Sequence, residues 1–271
     1  MKSRAPIDLG AEPWAFARQL AETAIAFSQL LLIVASAQVV ISPTVVELGA
    51  RQRVASVAIS LSATAKEPLR LQAELLRWQQ DLNGNAVSEP SDDMVVTPPI
   101  VDLQPGNTQV FRVALRRARP GPEELAYRLI LEDVNDSDAK PGGADGASIK
   151  FRMRYDLPVL VAPAGPVMNL LRWKPCPPAA APSPAPKINT AAEWAMGTCV
   201  RLLNAGNRRV KVETLTLAGD GWQRTLTLQE GENVLVGTER EWRDSGQTGA
   251  LRSVQVQTAR GETLQAEAGD F

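Results

Sequence analysis

The sequence predicts an all-β protein made of two immunoglobulin-like β-sandwich domains. Three observations carry this. Strand-sized apolar stretches with period-2 alternation recur, as at Ala55, Val57, Ile59 and Leu61, and again at Leu69, Leu71, Ala73 and Leu75. Turn residues punctuate them, as in Asn83-Gly84-Asn85, Pro105-Gly106-Asn107 and Pro120-Gly121-Pro122. No long helical periodicity follows the first 37 residues, and 271 residues suit two domains better than one.

Residues 1–37 read as a secretory signal. Ala24 to Ala35 is an apolar run, too short to span a bilayer, and Ala35-Ser36-Ala37 fits a cleavage site before Gln38. The preceding segment is long and mixes Asp8, Glu12 and Glu22 with Lys2, Arg4 and Arg18, so an uncleaved anchor or a misassigned start is an alternative. Residues 38–163 then form the first domain, with further alternation at Phe111, Val113 and Leu115 and at Tyr127, Leu129 and Leu131. At Leu75-Leu76 the inward phase shifts to Leu76 and Trp78, which predicts a β-bulge. After Pro163-Ala-Gly-Pro166 the pattern restarts, and a second, smaller sandwich is expected over 167–271. It carries a Pro-rich insert at 177–186, whose composition is that of a stiff, polyproline-II loop. In an oxidising compartment Cys176 and Cys199, which bracket that insert, pair as a disulfide, with two free thiols as the alternative.

Composition narrows the function. Lys plus Arg at 29 against Asp plus Glu at 30 lacks the basic excess of a nucleic-acid binder. The chain has no histidine, which removes Ser-His-Asp, Cys-His and His-metal chemistry. Two cysteines alone do not complete a metal site. Asp92-Asp93 is the nearest approach to a paired-acid site, and beside Pro90 and Ser91 it reads as a solvated loop. The expectation is a non-enzymatic binding protein with no metal, cofactor, nucleic acid or small-molecule substrate.

The most informative segment is Ile149 to Leu157. Ile149, Phe151, Met153, Tyr155 and Leu157 fall on one face of a strand, and Lys150, Arg152, Arg154 and Asp156 on the other. It follows a polar, Gly-rich stretch, Asn135 to Ser148. A plain half-buried edge strand satisfies this pattern. So does a strand offered to a partner chain, because a free sheet edge is a template for strand addition.

Several motifs carry a family resemblance. They are Trp78-Gln79 with Asn83-Gly84; Thr97-Pro98-Pro99, Leu103, Pro105-Gly106, Gln109 and Arg112; Glu124, Tyr127-Arg128-Leu129 and Glu132; and Leu157-Pro158-Val159 with Pro163. Together they resemble the PapD-like periplasmic chaperones of chaperone/usher pilus assembly, most closely the archaic branch, across residues 39–163. The resemblance implies two domains set at an angle and a periplasmic chaperone that caps pilin-type subunits with its Ile149–Leu157 strand and delivers them to an outer-membrane usher. It implies no cofactor or ATP, and it leaves open self-association of the free chaperone. It marks Thr97-Pro98 as a possible cis peptide and Arg112 with Glu132 as a structural ion pair near the domain junction. The better-studied branch grips the subunit's C-terminal carboxylate with two bases, whose positions fall near Thr44-Val45 and Pro158 here, where no base stands. Arg112 and Arg154 are the substitutes by chemistry. A pilus subunit or adhesin is the alternative, but its own donor segment would open the mature chain, and Gln38 to Glu47 holds Pro43 and no long alternation.

Overall fold

The computed structural model describes residues 38–135, 152–177, 198–244 and 249–271, apart from the side chains of 229–231. The expected signal, Ile149 and Phe151, and all of the Pro-rich insert after Pro177 lie outside them. Residues 39–271 form one compact unit, and every regular element among the described residues is a β-strand.

In the first domain, β1 (Val39–Ser42), β3 (Val54–Leu61), β8 (Thr108–Leu115) and β6 (Met94–Thr97) make an antiparallel sheet in the order β1-β3-β8-β6. The facing sheet has the order β2-β10-β9-β4-β5, from β2 (Val46–Leu48), β10 (Arg154–Val161), β9 (Leu125–Asp133), β4 (Leu69–Gln80) and β5 (Ala86–Pro90), with β7 (Ile100–Leu103) also on β4. Alternation decides what is buried. Val57, Ile59, Phe111 and Val113 from the first sheet meet Leu71, Leu129, Leu131, Val159 and Val161 from the second in one core. Each large side chain so buried contributes about 1.5–3 kcal/mol. The first strand changes sheets between β1 and β2. Ser42–Pro43 at that crossing is cis, as is Thr97–Pro98.

The bulge expected at Leu75-Leu76 is absent. Strand β4 keeps one register against β9, from Leu71 opposite Asp133 to Arg77 opposite Tyr127, and pairs without slip to β5. What changes is the covering of its outer face. Leu69, Leu71, Ala73 and Leu75 point into the sandwich, whereas Trp78 points outward and is buried against Leu160 and Leu235, the latter from the second domain. A strand buried on both faces breaks simple alternation without any irregularity in its backbone.

The second domain is a β-sandwich whose two halves join edge to edge into one seven-stranded path. Its order is β14-β13-β16-β17-β11-β12-β15. The strands are β11 (Leu171–Pro175), β12 (Thr198–Asn204), β13 (Val210–Gly219), β14 (Trp222–Val234), β15 (Glu239–Asp244), β16 (Leu251–Thr258) and β17 (Thr263–Ala268). Val234 of β14 and Trp242 of β15, at opposite ends of that order, share one core with Leu202, Leu215 and Val254, so the sheet bends across itself. Its halves join through a short parallel pairing of β11 with β17 at Arg172 and Trp173. Cys176 and Cys199 are disulfide-bonded, with Cα atoms 5.4 Å apart, at the base of the insert.

Candidate strand-addition edge

Strand β10 pairs antiparallel with β9 along its whole length, Arg154 opposite Glu132 through Val161 opposite Leu125. The hydrogen-bonded contact continues one step further, where the Asp133 N–H donates to the Met153 carbonyl at 2.9 Å. On its other edge β10 meets β2 over Val159 to Val161 only. The stretch Arg154 to Pro158 therefore has a free edge among the described residues, the arrangement that invites another strand. Of the predicted donor row, Leu157 is buried in the domain's own core and Tyr155 packs against it half-buried. Burial raises the Tyr155 phenol, and the Asp133 carboxylate adds to the rise. Met153, by contrast, is 49% exposed. Among its described residues the row is therefore buried at Leu157 and half exposed at Met153.

The opposite face of this sheet is tied to the second domain. Arg128 pairs with Asp156 at 3.3 Å and lies 4.2 Å from the centroid of the Trp78 ring. Two polar clasps flank the Trp78–Leu160–Leu235 cluster. In one, the buried Glu124 carboxylate accepts from the Arg209 backbone N–H at 3.0 Å and from its guanidinium at 2.7 Å, with Arg208 at 3.6 Å. Burial pushes the Glu124 carboxyl up against the pull of both guanidiniums. Glu47 also takes a hydrogen bond from Arg209, which holds its more exposed carboxyl below the usual range. In the other clasp the Gln80 amide donates to the Asn233 carbonyl and accepts from the Leu235 N–H, both at 3.0 Å. Beside it the Arg240 guanidinium donates to the Asn83 carbonyl at 3.0 Å, and the Glu241 N–H donates to the Leu82 carbonyl at 2.8 Å.

The expected Arg112–Glu132 ion pair does not form. Arg112 lies between fully buried Phe111 and Val113, so it stands on the outer face of the four-stranded sheet, opposite Ser56 and Thr97. Glu132, next to buried Leu131, stands on the outer face of the other sheet, opposite Gln72 and Arg154. The core separates them. Arg112 and Arg154 are parted in the same way, so the structure does not gather the two substitutes into one anion site. The charged junction is instead built on Glu124 and the Arg208–Arg209 pair, residues 85 apart in sequence, which no local pattern reveals.

Asp93 also differs from the solvated loop expected of Asp92-Asp93. Its carboxylate accepts from the Tyr127 hydroxyl at 3.0 Å and pairs with Arg77 at 3.3 Å. Its carbonyl accepts the N–H groups of Arg116, Arg117 and Ala118. Burial, followed by the Asp93 carboxylate, raises the Tyr127 phenol far above its usual range. Asp92 turns away and pairs with Arg117 at 2.8 Å. The two acids therefore do separate structural work and form no acid–base couple.

An immunoglobulin-like domain with one half-open strand, beside a second β-domain, is the arrangement of the PapD-like fold. Residues 38–166 match the family described as "Pili and flagellar-assembly chaperone, PapD N-terminal domain". Among solved structures, the chain is similar to the chaperone–tip adhesion subunit pre-assembly complex of archaic Csu pili from Acinetobacter baumannii. There 16% of residues are identical over 86% of this chain and 100% of that one, with a TM-score of 0.59. The class 5 fimbriae chaperone CfaA gives 14%, 86%, 100% and 0.57 in the same order. The Salmonella enterica SafA pilin complex with the SafB chaperone gives 14%, 84%, 95% and 0.51. No curated protein sequence matches the chain.

Proposed function

We propose that this protein is a periplasmic chaperone that folds and caps pilin-type subunits by donor-strand complementation and passes them to an outer-membrane usher. One observation carries the reading: β10 is paired along all of one edge and along only its last three residues on the other. A subunit lacking a strand gains backbone hydrogen bonds from Arg154 to Pro158 and inserts Ile149, Phe151 and Met153 into its open groove. Each large apolar side chain it buries is worth about 1.5–3 kcal/mol. The match of residues 38–166 to a pilus-assembly chaperone domain supports this. So do structural neighbours that are chaperones in complex with a tip subunit or a pilin. The disulfide fits an oxidising compartment such as the periplasm. Capping a groove needs no catalytic group, cofactor or nucleotide, in keeping with a chain that has no histidine. As a subunit or adhesin the protein would keep a free strand at its mature start, whereas Val39–Ser42 is spent on pairing with β3.

The test is co-expression with a pilin-type subunit. Wild-type protein is expected to recover the subunit on co-purification, and a Phe151→Asp, Met153→Asp variant to lose it while remaining folded. Equal recovery by both overturns the proposal.

A further inference from the structure

The disulfide lies on the outer face of the second domain. Cys199 and Arg201 of β12 alternate with buried Val200 and Leu202, so both side chains turn away from the core. On one side of β12, Cys176 follows the end of β11 and donates its backbone N–H to the Cys199 carbonyl at 3.2 Å. On the other side, β15 sets Arg243 opposite Cys199 and Glu241 opposite Arg201. Three neighbouring strands thus bring two sulfurs and a carboxylate to one spot. The two Sγ atoms and a Glu241 carboxylate oxygen lie within 4.8 Å of one another, and all three residues are half-buried. Among the described residues this is the one place where three such groups converge.

Two cysteines alone do not complete a metal site, but folding supplies a third ligand that no sequence spacing announces. Two thiolates and one carboxylate suit a tetrahedral ion such as Zn²⁺, with water in the fourth position, and disfavour calcium and magnesium, which take oxygen. The edges of such a tetrahedron are about 3.3–3.8 Å long. Side-chain rotation reaches them once the S–S bond opens, because the cysteine Cα atoms are 5.4 Å apart. Glu241 is already oriented. Its carboxylate accepts from Arg201 Nε at 3.0 Å and pairs with Arg243 through the other oxygen. Burial works against its charge, but the hydrogen bonds from Arg201 and Arg243 outweigh burial and hold the carboxyl below its usual range. Each oxygen keeps a second lone pair for a metal. The two guanidiniums also offset the negative charge that a pair of thiolates and a carboxylate would concentrate, the part that outer groups play around bound metals.

We infer that the reduced protein binds Zn²⁺ through Cys176, Cys199 and Glu241. A dithiol supplies two electrons and two protons, breaks the Cys176–Cys199 bond and leaves as its own cyclic disulfide. Each freed thiol then gives its proton to solvent as its sulfur bonds the metal, and the Glu241 carboxylate takes the third position. The oxidised chain has no thiolate to offer, so the redox state of the pair decides occupancy. The bound ion ties the end of β11 to β12 and β15. The base of the Pro-rich insert therefore stays closed in the reduced, metal-loaded chain as it does in the oxidised one. Both thiols are also withheld from exchange with other cysteines until the metal leaves.

Cobalt(II) is the probe, because it occupies zinc sites and reports their ligands by colour. The full chain is reduced with dithiothreitol, freed of it by gel filtration under nitrogen, and titrated with Co²⁺. The expected result is a thiolate-to-cobalt charge-transfer band and the visible bands of a four-coordinate ion, saturating at one equivalent and bleached by Zn²⁺. The oxidised chain should show neither. Glu241→Gln should weaken binding about a hundredfold, whereas Glu239→Gln, on the same face of β15, should bind as the wild type does. Glu241→Cys exchanges one ligand for another and should bind with a stronger charge-transfer band. Absence of the band in the reduced wild type overturns the site, and its presence in the oxidised chain overturns thiolate ligation. Equal affinity of wild type and Glu241→Gln, or an unchanged band in Glu241→Cys, overturns the assignment of Glu241.

Discussion

Glu124→Gln tests the account of how the two domains are held. The substitution keeps the side chain's size and its acceptor for the Arg209 N–H but removes the charge facing two guanidiniums. Removing one partner of a buried ion pair costs about 3–5 kcal/mol. Two features place this case at the low end of that range. The Arg208 and Arg209 side chains keep 20% and 14% exposure, and Arg209 retains Glu47. Burial already works against the ionised carboxylate, so neutralising it recovers part of the desolvation cost. A loss of about 3 kcal/mol is expected. With a urea slope of about 3 kcal/mol per molar, that is a midpoint shift of about 1 M. The assay is urea denaturation at pH 7, followed by tryptophan fluorescence, to which Trp78 at the junction contributes along with the other tryptophans. A double-mutant cycle with Arg209→Gln should show a coupling of about 2 kcal/mol. A single-mutant loss below about 1 kcal/mol, or strict additivity in the cycle, would refute the claim that this buried cluster ties the domains together.

Three further outcomes follow from the same structure. Met153→Asp should change stability by less than about 0.5 kcal/mol because the side chain is half exposed, whereas Leu157→Asp buries an unpaired carboxylate and should unfold the first domain by circular dichroism. Gly84 has a φ of 80°, and a Cβ built there overlaps the Arg240 guanidinium. Gly84→Ala should therefore cost about 2–3 kcal/mol in a thermal melt, falling to about 1 kcal/mol in an Arg240→Ala background, where only the backbone strain remains. Reducing the Cys176–Cys199 disulfide, which closes a loop of sequence separation 23, should cost the second domain about 3 kcal/mol in denaturant with and without dithiothreitol.

Particular residues show how far the sequence could be read. Leu69, Leu71, Ala73 and Leu75 announce a core face by spacing alone, and all four are buried together. Turn chemistry located the Asn83-Gly84 and Pro105-Gly106 corners, whose glycines both adopt a φ of 80°. These signals are local, and local signals survive in a sequence. Trp78 was misread because alternation reports which face of a strand a residue occupies, not what covers that face; here the second domain covers it. The Arg112–Glu132 pair failed for a related reason, since facing sheets turn their outer side chains in opposite directions. Glu124, Arg208 and Arg209 come together only after two domains dock, and Asp93 gains its role only when Tyr127 and Arg77 fold over it. The shared face of Tyr155 and Leu157 was legible as alternation, but the way β10 is half-capped by β2 was not, because pairing of strands more than a hundred residues apart leaves no periodicity to detect.

The most direct test of the central claim is amide hydrogen exchange at residues 152–158, measured on the free protein and on its complex with a pilin-type subunit. Strand addition predicts fast exchange of the outward amides in the free protein and strong protection of the same amides in the complex, with those facing β9 protected in both. A stable complex that leaves the outward amides exchanging as fast as before would contradict it.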